Sequence, residues 1–170
     1  MIEQPNFQKL FFDSLGGDKP RKITYQVRND SNQIHDMHFL GSLVHDSRFK
    51  RKDIKISNKK LTIPIERDCW ELKSIQHSDT SGELYITSSM ISISPINRIE
   101  WTFDNEIEFD VNTELWIQSI KLLRSEHIEY IVLIEGFGWE CNIHLIPEEL
   151  NIELNDQKVP SLYSQLKKNL

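Results

Sequence analysis

Apolar residues recur at every second position through most of this chain, and at every third or fourth position in one internal stretch. Ile23, Tyr25 and Val27 alternate with Thr24, Gln26 and Arg28, the period of a half-buried strand, and the turn-rich residues 29–33 close it. From Ile34 to Ser47 the spacing becomes helical, with Met37, Leu40, Leu43 and Val44 on one apolar stripe. Strand rhythm returns at 53–57 and 61–66 around Asn58-Lys59-Lys60, a hairpin expected to turn Ile54, Ile56, Leu61, Ile63 and Ile65 inward. Pro64 has no N–H for a ladder, which places the second of these strands at a sheet edge.

Further along, residues 84–93 read as a strand in which Ser88-Ser89 break the alternation as a bulge does. Ile99-Trp101-Phe103 and Ile107-Phe109-Val111, joined by Asp104-Asn105, form the clearest hairpin pattern, with acids and threonine on its wet face. Residues 115–123 fit either a helix or a kinked strand, and their strand neighbours favour the strand. Residues 130–135 and 139–146 pair across Gly136-Phe137-Gly138, and the apolar run 131–134 suggests a strand covered on both faces. Ile152 to Leu154 is a last short strand. Helices are also expected at both ends, at 5–15 within an N-terminal extension over 1–20 and at 159–170. The expected fold is therefore α+β: a single domain over 1–170, mainly antiparallel β in a curved or two-layered sheet, with about three short helices.

Composition agrees with this pattern: isoleucine occurs 22 times and alanine, the best helix former, not once. Neither end has the basic and then apolar character of a targeting signal, and no apolar run approaches the ~20 residues that span a bilayer. Cys69 and Cys141 lie in no paired spacing, so reduced thiols and a cytoplasmic location are the expectation, with no cofactor and no membrane partner.

Charge sharpens the picture. Residues 48–60 carry seven basic side chains against one acid, a local +6, whereas residues 99–157 carry fourteen acids against two bases, a local −12. Such polarity steers association with a charged partner. The basic patch Arg48, Lys50, Arg51 and Lys52 has only Phe49 beside it as a stacking surface, which makes nucleic acid an unattractive partner. On the acidic side, alternation places Glu106, Glu108 and Asp110 in a row on the outer face of one strand, near Trp101. Like charges stacked in this way repel unless a basic partner lies over them, so these four residues are the expected binding set for a basic protein.

The helical stretch carries the other candidate chemistry. His35, His38, Ser42, His45 and Asp46 fall within an arc of about 100°, opposite the apolar stripe. His35 and His38 are spaced to share a metal, and His38, His45 and Asp46 could then serve a metal-dependent hydrolase. Against this, His38 and His45 stand about 10.5 Å apart along a helix axis, too far to bind one ion directly. Arg67 would lower the pKa of Cys69, while Asp68 and Glu71 would raise it. The Gly-x-Gly at 136–138 lacks the following helix that a phosphate site needs.

The segment Gly41-Ser42-Leu43-Val44-His45-Asp46-Ser47, running into the basic hairpin, resembles an element of some immunity proteins of bacterial toxin systems. Those carry a short His-Asp-Ser or Trp-His-Asp-Ser sequence before a series of antiparallel strands, and here Val44 stands at the tryptophan's place. The resemblance extends as strand rhythm over about residues 45–154 and carries over only His45, Asp46 and Ser47. It implies a small bacterial protein that neutralises another protein by binding it. The leading expectation is thus a protein-binding module of immunity or inhibitor type, and the alternative is the histidine-face hydrolase.

Overall fold

Among the described residues, alternating apolar positions build twelve strands and the helical stripe builds one α-helix. The structure, a computed structural model, describes residues 20–29, 33–69, 71–72, 84–104, 109–124, 129–146 and 149–163. In chain order these are β1 (Thr24–Arg28), α1 (Gln33–Val44), β2 (Arg48–Lys50), β3 (Lys55–Ser57), β4 (Lys60–Asp68), β5 (Tyr85–Ser94) and β6 (Ile96–Phe103). Then follow β7 (Glu114–Trp116), β8 (Ser119–Arg124), β9 (Tyr130–Gly136), β10 (Trp139–Leu145), β11 (Asn151–Asp156) and β12 (Ser161–Leu162). All pairings are antiparallel.

Two sheets share one apolar core. The larger runs β1-β11-β5-β4-β2-β7, with β12 beside β5 and β3 beside β4; the smaller runs β6-β10-β9-β8. Inward residues of the larger sheet (Ile63, Ile91, Ile152, Leu154) meet Val132, Ile134, Ile143 and Leu145 of the smaller one in a single buried cluster. This is the expected α+β, mainly antiparallel, two-layered arrangement. Helix α1 buries Met37, Leu40, Leu43 and Val44, the whole of its apolar stripe, against β8 of one sheet and β1 and β4 of the other. No described helix is long and apolar enough to cross a membrane.

The helix count differs from expectation. One α-helix stands among the described residues; the N-terminal helix at 5–15 lies outside them, and so do residues 164–170 of the C-terminal one. Ser161 and Leu162, expected in that helix, instead pair with Ile86 and Tyr85 of β5. The ambiguous stretch 115–123 is strand, divided at Ile117–Gln118 so that β7 joins the larger sheet and β8 the smaller.

Other departures have local causes. Strand β4 lies inside its sheet, not at an edge, because its second neighbour is interrupted. β3 pairs with residues 60–62 and β2 with Glu66, and a 3-10 turn at Arg51–Asp53 takes the chain away opposite Pro64, which has no N–H to offer a ladder. Ile56 on β3 is 60 % exposed, not inward. The β3–β4 turn places Asn58 (φ 50°) and Lys59 (φ 59°) in the left-handed region without glycine. Strand β5 has no bulge: its register with β4 is continuous through Ser88 and Ser89, and Ser89 faces inward because Asp156 accepts its hydroxyl at 2.6 Å. β9 alternates, with Val132 and Ile134 buried and Ile131 and Leu133 half-buried, and is not covered equally on both faces. Finally, β6 pairs with β10, and its expected hairpin partner is no strand where it is described, since Phe109 and Asp110 are irregular and Val111 is in a turn.

Candidate functional site

The basic run divides where the chain turns. Along β2 the alternation buries Phe49 and sends Arg48 and Lys50 to the outer side of the larger sheet. There Arg48 donates to Glu66 (Nη2–Oε1 2.8 Å) and Asp68 (Nη2–Oδ1 3.2 Å) and stacks 4.9 Å above the Trp116 ring, so its charge is answered. Burial raises the Asp68 carboxyl above its ordinary pKa in spite of Arg48.

The 3-10 turn then carries Arg51 to the other side. Its guanidinium lies 4.6 Å from the centre of the Phe103 ring and 5.4 Å from that of Trp101. Trp101 and Phe103 are two apart on β6, so the pleat turns both to one side, where their rings stack 5.8 Å apart and nearly parallel. Trp139 and Phe109 extend the aromatic group, and Phe49 of the larger sheet meets Trp139 edge-on at 5.6 Å. Among the described residues no carboxylate pairs with Arg51 and none accepts a hydrogen bond from it.

These residues line a cleft of about 360 Å³ between the two sheets. Ile63, Ile99, Ile134 and Cys141 contribute to its apolar wall, Arg51 and Lys52 are the only charged residues on it among those described, and Ile56 and Val111 stand at its mouth. Val111, 50 % exposed, is held there by the Lys52 N–H, which donates to its carbonyl at 3.1 Å. Burial pushes the Cys141 thiol up to about 12, with Arg51 drawing it down only partly, so the cleft contains no thiolate nucleophile at neutral pH. Gly136 packs against Trp139, one of the lining side chains: a Cβ there would lie 2.2 Å from the Trp116 carbonyl oxygen and 2.4 Å from the Trp139 indole nitrogen.

The acidic strand face is only partly within view. Glu106 and Glu108 lie outside the described residues. Asp110 shapes a turn: its Oδ1 accepts the Asn112 N–H at 2.6 Å, and its own N–H donates to the Thr113 hydroxyl at 3.0 Å. Trp101, expected in the same binding set, belongs to the aromatic group under Arg51.

His35, His38 and His45 are exposed along α1 and just beyond it. Among the described residues no group of three or more His, Cys, Asp or Glu side chains is placed to hold a metal ion. His45 and Asp46 contact each other (Nδ1–Oδ2 2.9 Å), and the His-Asp-Ser element ends the helix. Asp46 adopts φ 62°, the Ser47 N–H returns to the Val44 carbonyl at 3.0 Å, and Asp46 and Ser47 exchange backbone hydrogen bonds with Ile117. A Val44 side chain at 0 % exposure fills the core where the resembling element has tryptophan.

Two other polar clusters escaped sequence reasoning. At the far end of the core Arg67, fully buried, donates to Asp156 (Nε–Oδ1 2.9 Å, Nη2–Oδ2 2.8 Å) and to Glu71 (Nη1–Oε2 2.9 Å, Nη2–Oε1 2.7 Å). Burial alone would lower the guanidinium's pKa, but these bonds outweigh it and hold it above the ordinary range. Cys69 beside it is pushed well above the ordinary thiol value by burial, which the pull of Arg67 does not offset. On the outer side of the smaller sheet His144 sits between Glu129 (3.2 Å) and Glu100 (3.3 Å). The His144 contact lowers the Glu129 carboxyl.

No family model, no curated protein and no solved structure matches this chain.

Proposed function

We propose that this protein is a binding module that captures another protein at the mouth of the cleft between its two sheets. The observation that carries this is Arg51, stacked on Trp101 and Phe103 with no carboxylate partner among the described residues, at an apolar opening flanked by exposed Ile56 and Val111. Tryptophan and arginine beside a desolvated pocket are the side chains that dominate protein interfaces. Exposed aliphatic groups at a rim gain free energy when a partner covers them. In this reading the anchor is the cleft itself. Neutralisation of a partner, as in an immunity or inhibitor-type protein, is the use most in keeping with the His-Asp-Ser resemblance.

The test compares capture by the parent protein and by Ile56→Asp and Val111→Asp from lysate of the source organism. A protein held by the parent in stoichiometric amount and lost by both variants, each still folded by circular dichroism, is the expected result. Equal capture by all three overturns the cleft as the contact surface.

A further inference from the structure

The charges on the cleft say what its occupant must carry. Among the described residues whose side chains line it, two are cationic, Arg51 and Lys52, and none is acidic. The Arg51 guanidinium is held against the two rings, and among the described residues no carboxylate takes up its N–H groups. A planar fork of this kind matches a carboxylate, and the stacked rings hold the fork in place before a ligand arrives. The remaining wall is apolar. A volume of about 360 Å³ is at the small end for ligand pockets, enough for one or two large side chains. Ile56 and Val111, which line its mouth, are 60 % and 50 % exposed, so the apolar surface of the cavity runs out onto the open face of the molecule.

We propose that the cleft recognises an acidic, apolar segment of a protein partner: a Glu or Asp carboxylate on Arg51, one or two large apolar side chains in the cavity, and the following chain over Ile56 and Val111. This rests on the cleft being the contact surface and adds the chemistry of what enters it. Lys52 supports the same carboxylate by its charge. The apolar wall excludes a segment whose residues next to the acid are themselves charged.

The experiment uses the full chain, labelled with ¹⁵N, and follows the indole N–H signals of Trp101 and Trp139, assigned by Trp101→Phe and Trp139→Phe. The probes are the blocked tripeptide acetyl-Leu-Phe-Glu-amide, its glutamine counterpart, and decanoate. The glutamate peptide is expected to shift both signals saturably and to bind about tenfold more tightly than the glutamine peptide, the worth of one charge-assisted hydrogen bond. Arg51→Gln should abolish that preference, and Arg51→Lys should keep part of it, because the charge survives and the fork does not. Equal affinity of the two peptides, or no shift with either, overturns the inference. Tighter binding of decanoate than of the glutamate peptide overturns the protein-segment source and assigns the site to a free amphiphile. If partner capture still depends on Ile56 and Val111 while the peptides show no charge preference, only this inference falls. If capture is indifferent to both residues, the contact surface itself falls.

Discussion

Two arginines sixteen positions apart, Arg51 and Arg67, meet opposite fates, and the contrast separates what holds this fold from what the fold presents. Arg67 is fully buried and spends four N–H···O contacts on two carboxylates, Glu71 and Asp156. Asp156 in turn accepts from the Ser89 hydroxyl and the Ile23 N–H, so the group ties together the lead into β1, the ends of β4 and β11, and the middle of β5. A buried charge is tolerated only when it is answered in this way. Arg51 rests on aromatic rings at an opening, with its hydrogen-bonding capacity unused by any described residue. One arginine is saturated and inaccessible; the other is fixed in position and available.

The largest effect should come from breaking the saturated end. Arg67→Met leaves Glu71 and Asp156 buried without their cation, a situation that costs about 3–5 kcal/mol. Urea unfolding of the purified variant should show that loss as a lower midpoint with little change in slope. Arg67→Met combined with Glu71→Leu should recover part of it, because Asp156 still keeps the Ser89 and Ile23 donors. A single variant as stable as the parent would mean that the buried triad is no staple, and the contrast with Arg51 would collapse.

Next in size is a substitution that disturbs Trp139 on the cleft's wall. A Cβ at position 136 would meet the Trp116 carbonyl and the Trp139 indole well inside contact distance. Gly136→Ala should therefore displace Trp139 and cost about 1–3 kcal/mol, as overpacking does. It should also shift tryptophan fluorescence, because Trp139 stacks among Phe49 and Trp101. An unchanged emission spectrum would show that the backbone at 136 yields without moving the rings.

By contrast, Arg51→Gln should cost only about 0.5–1 kcal/mol of stability, the worth of a partly exposed cation–π contact. A loss near that of Arg67→Met would make Arg51 a structural residue and remove the reason for treating it as a binding group.

The strand pattern was legible because it is local. Alternation located β1, β9, β10 and β11, and the stripe Met37, Leu40, Leu43 and Val44 located the buried face of α1. What failed was everything that depends on a distant partner. Pro64 reads as an edge residue because nothing nearby reveals that the chain opposite departs in a 3-10 turn. Ser89 reads as a bulge because its acceptor, Asp156, is 67 residues away. The aromatic platform for the basic run looked missing, since only Phe49 is near it in sequence, whereas Trp101 and Phe103 arrive from β6 fifty residues later. Two signals were present and unread. Arg67 and Glu71 are spaced to form a pair, and the alternation that marks the strand also puts two aromatic rings, Trp101 and Phe103, on one side of it as a stacking surface.

The smallest effect isolates pairing from burial. Glu135 is paired but wet: it accepts from Lys121 and from the Ser119 hydroxyl (2.6 Å) on the outer side of the smaller sheet. Those bonds, that from Lys121 first, lower its carboxyl below the ordinary value. A depressed carboxylate contributes stability above its unfolded pKa and loses it as pH falls through its folded one. Glu135→Gln should therefore flatten the acid limb of the stability curve, below the ordinary glutamate range, while changing neutral stability by about 0.5 kcal/mol or less. Added salt should shrink even that difference, because the Lys121 side chain is half exposed. The measurement is urea unfolding at several acid pH values, in low and in high salt. Were the loss at neutral pH to rival that of Arg67→Met, pairing alone would explain the weight of the buried arginine; the small, salt-sensitive effect expected here assigns that weight to burial, which leaves an unpaired charge no solvent to turn to.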